Sequence, residues 1–186
     1  MTEARPRVGT RSRIQAVALE LFAEQGYEKT SLREIAERLD VTKAALYYHF
    51  KTKDDIVASL FEDFLAHVDE IVEWAQGQEM DEVTRKEVVR RYATILSGPG
   101  ESLIQFVHGN QSAVRDLKDS EGLFTRFRAL SVLLTDATGP LTAQLKNSMA
   151  LAMLHIGYFG PFELNATVEE RRAAALEVAL ELVSSP

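Results

Sequence analysis

Cysteine is absent from this 186-residue chain. The chain therefore has no disulfide framework, no thiolate metal ligand and no cysteine nucleophile. Long hydrophobic runs are also missing, because the longest uncharged stretch covers 16 residues, 147–162, and contains Asn147, His155 and Pro161. This stretch is too short and too polar to span a bilayer, and the polar residues 1–9 lack the apolar core of a signal peptide. We expect a cytoplasmic protein with no membrane partner.

Sequence signatures of catalysis and of cofactor binding are absent too. The chain contains no G-x-x-x-x-G-K-S/T or G-x-G-x-x-G phosphate loop and no G-x-S-x-G nucleophile motif,. His67 has carboxylates near it at Asp63 and Glu70, but no second imidazole or thiolate completes a metal site. We expect no enzymatic activity, no metal and no cofactor.

Charge is unevenly distributed along the chain. Residues 1–53 hold ten Lys/Arg and seven Asp/Glu, a balance of +3, whereas the remainder holds 11 and 21, a balance of −10. A basic first segment on an acidic protein is compatible with a nucleic-acid-binding end. It is equally compatible with an ordinary fluctuation, because an excess of three charges is small.

Apolar residues recur at helical spacing, and the period-two alternation that marks strands is missing. Ile14, Val17, Ala18, Leu21 and Phe22 form one apolar stripe,. The sequence predicts an all-α fold of about nine helices, at residues 10–25, 31–39, 43–50, 54–74, 81–97, 101–114, 120–137, 140–160 and 167–184.

Capping residues mark several of the predicted helix ends. Ser31 with Glu34, and Thr167 with Glu170, match the S/T-x-x-E capping box. Thr10 and Thr42 are expected N-caps, and Gly26 is expected to stop the first helix in the left-handed conformation.

The first three predicted helices form a helix-turn-helix in a three-helix frame. The third has few side chains to bury: Ala45 or Leu46, and then Phe50. Its other face carries Lys43, Ala44, Tyr47, Tyr48 and His49, which are predicted to be exposed. Such a helix fits the DNA major groove, where Tyr47, Tyr48, Lys43 and Lys53 reach phosphates and alanine methyls touch thymine methyls.

Residues 18–56, ALELFAEQGYEKTSLREIAERLDVTKAALYYHFKTKDDI, resemble the DNA-binding domain of the TetR/AcrR family of transcriptional regulators. The shared pattern runs LF…G(Y), T-(S/T)-x-x-x-I-A and V-(S/T)-x-(A/G)-x-(L/I)-Y-x-(H/Y)-F-x-(S/N/T)-K. Asp40 stands where the family commonly has glycine, and aspartate can adopt the left-handed conformation. The resemblance implies a homodimeric, ligand-responsive regulator that is usually a repressor.

The same resemblance implies which residues contact DNA. Base and phosphate contacts would come from the third helix, through Thr42, Lys43, Ala44, Tyr47, Tyr48 and His49. Ser31 and Lys53 would hold phosphates, and Arg11 and Arg13 would add backbone contacts. The DNA-binding domain would comprise residues 1–53, followed by a ligand-binding and dimerisation domain of residues 54–186.

In the family, the last two helices form the dimer interface. Here both predicted helices are apolar on more than one side, so each needs a second neighbour besides its own core. A four-helix seam between two subunits would supply it, although burial inside a monomer is the alternative. The predicted interface residues are Leu145, Leu151, Leu154, Tyr158, Leu176, Val178, Leu180 and Leu182.

A ligand cavity needs apolar walls and a few polar groups. The candidate lining residues are Trp74, Phe106, His108, Asn110, Gln111, Phe124, Phe127, Arg128, Met149, Met153, His155 and Phe159. Their apolar bias favours a hydrophobic or aromatic effector.

We therefore expect a dimeric repressor that an effector releases from a palindromic operator on double-stranded DNA. Two alternatives stay open: an all-helical carrier or enzyme with an incidental helix-turn-helix, and an architectural protein that binds partner proteins. The exposed residues 47–49 count against the former, and the latter predicts sequence-blind DNA binding with a steep salt dependence.

Overall fold

The computed structural model describes residues 9–98, 100–110, 120–135, 137–159 and 165–184; within them, the side chains of residues 108, 120–124 and 159 are not described. Over these ranges the chain is helical with no strand, which confirms the predicted all-α class. The helices described are α1 Thr10–Gln25, α2 Leu32–Arg38, α3 Lys43–His49, α4 Lys53–Gln76, α5 Glu82–Ser97, α6 Glu101–Gly109, α7 Ser120–Leu134, α8 Leu141–Phe159 and α9 Val168–Leu182. None of them combines the length and apolar character needed to cross a bilayer.

The chain divides into two compact units, and the division falls inside α4. Of the described residues, the first unit holds 9–63 and 102–110, and the second holds the rest. This division lies after Asp63, beyond residue 53 where the sequence predicts a domain boundary, because the start of α4 packs on α1. Buried Gln15 of α1 donates from Nε2 to Ser59 Oγ at 2.9 Å and to an Asp63 carboxylate oxygen at 2.6 Å.

The predicted helix starts at α2, α3 and α9 are confirmed. Both capping boxes form, Ser31 with Glu34 at α2 and Thr167 with Glu170 at α9. Thr42 accepts from the backbone N–H of the third helical residue of α3 through its side chain. Each cap satisfies a backbone donor that the first helical turn would leave without a partner.

Two details of α1 differ from the prediction. Gly9 occupies the N-cap position and Thr10 is already helical, so Thr10 does not cap the helix. Gly26 ends α1 with φ 91° and ψ 151°. Its φ is positive, as expected for a glycine at this position, but its ψ is extended, so the conformation is not left-handed helical.

Two predicted helices are longer than the described ones. The helix predicted at 101–114 is described to Gly109, and residues 111–114 lie outside the described residues. The helix predicted at 120–137 ends at Leu134.

The turn between α2 and α3 is a Schellman motif with aspartate in place of glycine. Asp40 has φ 55°, which confirms the prediction that it supplies a left-handed residue. The backbone N–H of Val41 donates to Ala36 O at 3.0 Å, and that of Asp40 donates to Glu37 O at 3.2 Å. These are the two hydrogen bonds that define the motif, and they fix where α3 begins.

In the second unit, α8 and α9 approach very closely. A Cβ placed on Gly157 of α8 would lie 2.6 Å from Ala175 Cβ and 3.1 Å from Arg171 O of α9. The missing side chain allows this approach, and Ala150, Leu151 and Ala179 are fully buried. The two helices therefore form one packed layer against α5 and α7.

Asp40 is expected to limit the stability of the helix-turn-helix. Because a left-handed residue with a Cβ costs about 1–2 kcal/mol, less for aspartate, Asp40→Gly should raise the free energy of unfolding by about 0.5–1 kcal/mol. Asp40→Ala should lower it by a similar amount, because alanine lacks the local hydrogen bonding of aspartate. Urea denaturation checks both; equal stabilities for the glycine and alanine variants would contradict this account of the turn.

Candidate nucleic-acid interface

Helix α3 has one buried side and one exposed side. Leu46 and Phe50 are 0% and 4% exposed, whereas Tyr47 and Tyr48 are 43% and 81% exposed. This confirms the predicted division of the helix, with Leu46 rather than half-buried Ala45 fully inside. The Tyr48 side chain in particular is mostly in water, so it is available to a partner,.

All six of the predicted contact residues on α3 and at its N-cap are exposed: Thr42, Lys43, Ala44, Tyr47, Tyr48 and His49. The rings of Tyr48 and His49 meet edge to face at 5.2 Å between centroids. The small side chain of Ala44 allows close approach to the start of the helix. We call these six residues the α3 face.

The end of α3 and the start of α4 are held by a compact capping network. Lys51 Nζ donates to Tyr47 O at 2.5 Å, at the carbonyl end of α3. The N–H groups of Lys51 and Thr52 donate to one Asp55 carboxylate oxygen at 2.9 and 2.8 Å, and Asp55 N–H donates to Thr52 Oγ1 at 3.0 Å. This network fixes the α3 face relative to α4.

Lys53 makes its contacts within the protein. Its Nζ donates to Tyr27 O at 2.5 Å and to Glu28 O at 3.3 Å, and it lies 4.4 Å from the Tyr27 ring centroid. The Tyr27 hydroxyl donates in turn to Asp54. Burial, together with that hydrogen bond, raises the pKa of the Tyr27 phenol. Lys53 and Tyr27 thus tie the start of α4 to the turn after α1.

The other residues predicted to contact phosphates differ in their surroundings. Ser31 is exposed but engaged in its capping box, its Oγ donating to Glu34 at 2.7 Å. Arg11 pairs with carboxylates of α4, Asp63 at 3.1 Å and Glu62 at 3.6 Å. Arg13 is exposed on α1. The structure therefore gives Arg11 and Lys53 structural partners, which the sequence did not indicate.

The sequence analysis missed the residues that hold α3 and the start of α4 in position. Lys51, Thr52 and Asp55 act through the caps described above, and Tyr27 acts through Asp54. The T-x-x-D pattern of Thr52 to Asp55 resembles a capping box and was the one available signal. The contact of Tyr27 with α4 spans 27 residues of sequence, and no local pattern reports it.

In the second unit, three of the ligand-pocket candidates have informative surroundings. His155 Nε2 lies 2.9 Å from the buried Tyr92 hydroxyl, and the Phe127 ring meets the His155 ring edge to face at 5.6 Å. Burial lowers the pKa of His155 and raises that of Tyr92. Both groups are therefore neutral at physiological pH. Trp74 instead lies beneath the Arg91 guanidinium, 3.8 Å from its ring centroid.

The remaining pocket candidates do not converge in the described part of the chain. Phe106 is buried in the first unit, where its ring meets Phe22 and Tyr27, and Asn110 bonds to Phe106 O at 3.0 Å. Arg128 and Met149 are exposed, and Met153 is half-buried. Gln111 lies outside the described residues, as do the side chains of His108, Phe124 and Phe159. Among the described residues, no group of three His, Asp or Glu side chains could hold a metal ion.

The predicted interface residues fall into three groups. Leu145 and Val178 are 58% and 37% exposed, whereas Leu151 and Leu154 are 0% and 3% exposed. The latter two fill the core of the second unit, so they offer no surface to a partner, contrary to the prediction. Tyr158 and Leu176 line a groove that faces α5. Leu180 and Leu182, both on α9, are half-buried.

Comparison with known proteins agrees with this geometry. Residues 14–60 match the family model for bacterial regulatory proteins of the tetR family. The chain is 49% identical over 53 residues to the HTH-type transcriptional regulator AcrR of Shigella flexneri, covering 28% of this chain and 25% of that protein. It is 31% identical over 91 residues to the probable HTH-type transcriptional regulator YttP of Bacillus subtilis, covering 49% and 44%. The matched region spans less than half the length of these relatives.

The fold of the rest of the chain is shared as well. The crystal structure of Mycobacterium smegmatis AmtR aligns with a TM-score of 0.68 at 22% identity, covering all of this chain and 91% of that one. At this identity the likeness shows the fold alone. The resemblance to the TetR/AcrR family is therefore confirmed through the family model on residues 14–60, and the rest of the chain shares the fold of AmtR.

The two sides of α3 should respond oppositely to truncation. Leu46→Ala should lower the free energy of unfolding by about 2–5 kcal/mol, because it opens a cavity in the core. Tyr48→Ala should change it by no more than about 0.5 kcal/mol, because the side chain is solvated. Urea denaturation of both variants makes the comparison; a large loss in Tyr48→Ala would show that this ring is structural.

Proposed function

We propose that this protein is a TetR/AcrR-type transcriptional regulator that binds double-stranded DNA through the α3 face. The observation that carries the proposal is a short helix whose exposed side holds Lys43, Tyr47, Tyr48 and His49 while Leu46 anchors it from behind. The match of residues 14–60 to the tetR family supports the same function. A role on DNA implies a cytoplasmic protein, and we propose no catalytic activity for it.

Within the α3 face, the residues divide by the part of DNA they suit. Thr42 and Ala44 lie at the start of α3, the end of a recognition helix that reaches base edges, and the Lys43 ammonium beside them suits a phosphate oxygen. The hydroxyls of Tyr47 and Tyr48 and the imidazole of His49 suit phosphate oxygens, which set position without reading sequence. Ser31 and Arg13 would extend these phosphate contacts.

Lys53 and Arg11 would contribute less directly than the sequence predicts. Both cations already have protein partners, so neither is a flexible arm that DNA must order. Lys53, held against the turn after α1, would present part of its ammonium to a nearby phosphate. Arg11 would reach DNA only by weakening its pairing with Asp63.

We further propose that the protein acts as a homodimer through α8 and α9. Support comes from an apolar row on α8, where Leu141, Leu145 and Met149 recur every fourth residue and are 70%, 58% and 47% exposed. Val178 of α9 is 37% exposed. Rows of this kind mark interaction surfaces. A two-fold pair of such helices forms the four-helix seam of many dimers.

The effector proposed from the sequence, a small hydrophobic or aromatic molecule, would bind near His155, Phe127 and Tyr92. A neutral imidazole and a phenol at an aromatic wall suit a ligand with an apolar ring and one hydrogen-bonding group. In the proposed mechanism, the dimer without effector holds two recognition helices about one DNA turn apart, ~34–36 Å, on a palindromic operator. The effector releases DNA because it binds the other conformation more tightly.

DNA binding can be tested without knowing the operator. Lys43→Ala should weaken binding to a mixed-sequence duplex and reduce the slope of log affinity against log salt by about one, as expected for one lost phosphate contact. Fluorescence anisotropy over a salt series measures both quantities. The matched control is Lys86→Ala, which removes the same charge from the second unit. There Lys86 pairs with Glu82 at 2.6 Å.

These two variants separate a specific surface from general electrostatics. If Lys43→Ala and Lys86→Ala have the same affinity and salt slope, the α3 face does not contact DNA. If only Lys43→Ala changes, the contact lies on that face.

Dimerisation has its own test in a charge introduced on α8. Leu145→Glu should raise the dissociation constant of the dimer at least about a hundredfold, because two-fold symmetry places the unpaired carboxylate in the seam twice. Sedimentation equilibrium measures it. Val83→Glu, at a site on α5 that is 71% exposed, should leave the dimer intact. A dimer that tolerates Leu145→Glu would show that the seam lies elsewhere.

A further inference from the structure

A surface groove of about 360 Å³ lies between α5, α8 and α9 in the second unit. Its lining includes the apolar side chains of Leu154 and Leu176, two arginines, Arg90 and Arg172, and Tyr158. The volume lies within the range of small-molecule sites. Apolar walls with a few cationic groups suit an amphipathic anion.

Arg172 is held in position from two sides. Its guanidinium carbon lies 4.2 Å from the Tyr158 ring centroid, and its Nη2 donates to Glu101 Oε1 at 2.5 Å. The Arg172 side chain is only 20% exposed, and its Nε is buried with no hydrogen-bond partner among the described atoms. A guanidinium fixed by stacking loses little freedom when it binds a planar anion.

Glu101 shows which chemistry this position accepts. The Glu101 carboxylate already accepts a hydrogen bond from the Arg172 guanidinium, at the short distance typical of a charge-assisted hydrogen bond,. The Glu101 side chain is 32% exposed, so water reaches the pair and another carboxylate can compete for it. Arg172 is therefore already paired with one carboxylate, and Glu101 itself is not among the residues that line the groove.

Arg90 supplies a second cation with a weaker attachment. Its Nη1 lies 3.9 Å from Glu87 Oε2, and its side chain is 51% exposed. Such a pair is loose and solvated, so it contributes little and is easily exchanged. Arg90 can turn towards an anion in the groove at small cost.

We propose that this groove binds a monocarboxylate with a short apolar tail. The tail lies on Ala173 and Leu176, and the carboxylate competes with Glu101 for Arg172, with Arg90 as the second cation. The site is separate from the residues around His155 that the proposed function assigns to a neutral effector.

The test is calorimetric titration of the full-length protein with octanoate and with octanamide, in the absence of DNA. Octanoate should bind saturably, with one site per chain, and octanamide should bind at least about tenfold more weakly, because it lacks the charge that Arg172 and Arg90 recognise. Since no DNA is present, the outcome is independent of the proposed regulatory function.

Four variants locate the site. Glu101→Gln should tighten octanoate binding by removing the internal competitor, and Arg172→Met should weaken it at least about tenfold. Arg171→Met is the matched control, because Arg171 is the preceding arginine on α9, does not line the groove and should leave binding unchanged. Ala173→Leu, an exposed position in the groove, should block the tail without disturbing the fold, which circular dichroism verifies.

Several results would overturn the proposal. These are no octanoate binding to the wild-type protein, equal binding of octanamide, or full binding by Arg172→Met. Weaker binding by Glu101→Gln would also contradict the exchange of carboxylates. If Arg172→Met does not fold, retained binding by folded Ala173→Leu overturns the proposal and lost binding supports it.

Discussion

The candidate interface depends on the burial of two side chains, Leu46 and Phe50. A seven-residue helix has too little length to be stable alone, so α3 takes its orientation from these anchors. Once they are buried, Tyr48 must face water, because a residue two positions from both anchors lies on the opposite side of the helix. The Asp40 turn before α3 and the Thr52–Asp55 cap after it then fix the two ends.

Much of the positive charge near this face is already committed within the protein. Lys51 satisfies a carbonyl at the end of α3, Lys53 holds the turn after α1, and Arg11 pairs with α4. Under the proposed function, the surface that is left for DNA would therefore be formed mainly by Lys43 and by the hydroxyls of Tyr47 and Tyr48. This agrees with the small charge excess of residues 1–53, and it favours recognition by close fit over recognition by strong electrostatic attraction.

The fold and the α3 face could be predicted from the sequence because both depend on local signals. Apolar spacing placed the helices, and the cap at Thr42 and the buried Leu46 followed from residues a few positions apart. The contacts of Lys53 with Tyr27 join residues 26 positions apart, so no local pattern contained them. The interface prediction at Leu151 failed for a related reason: apolar spacing identifies buried positions, but it cannot say whether the neighbour is the same chain or another.

The central claim is that two copies of the α3 face read sequence on one duplex. The most direct measurement is selection of bound sequences from a random duplex pool at near-physiological salt. The account predicts enrichment of one inverted repeat, with half-sites about one DNA turn apart. Recovery of unenriched sequences, with binding that depends only on salt, would contradict it and favour a carrier or partner-binding role.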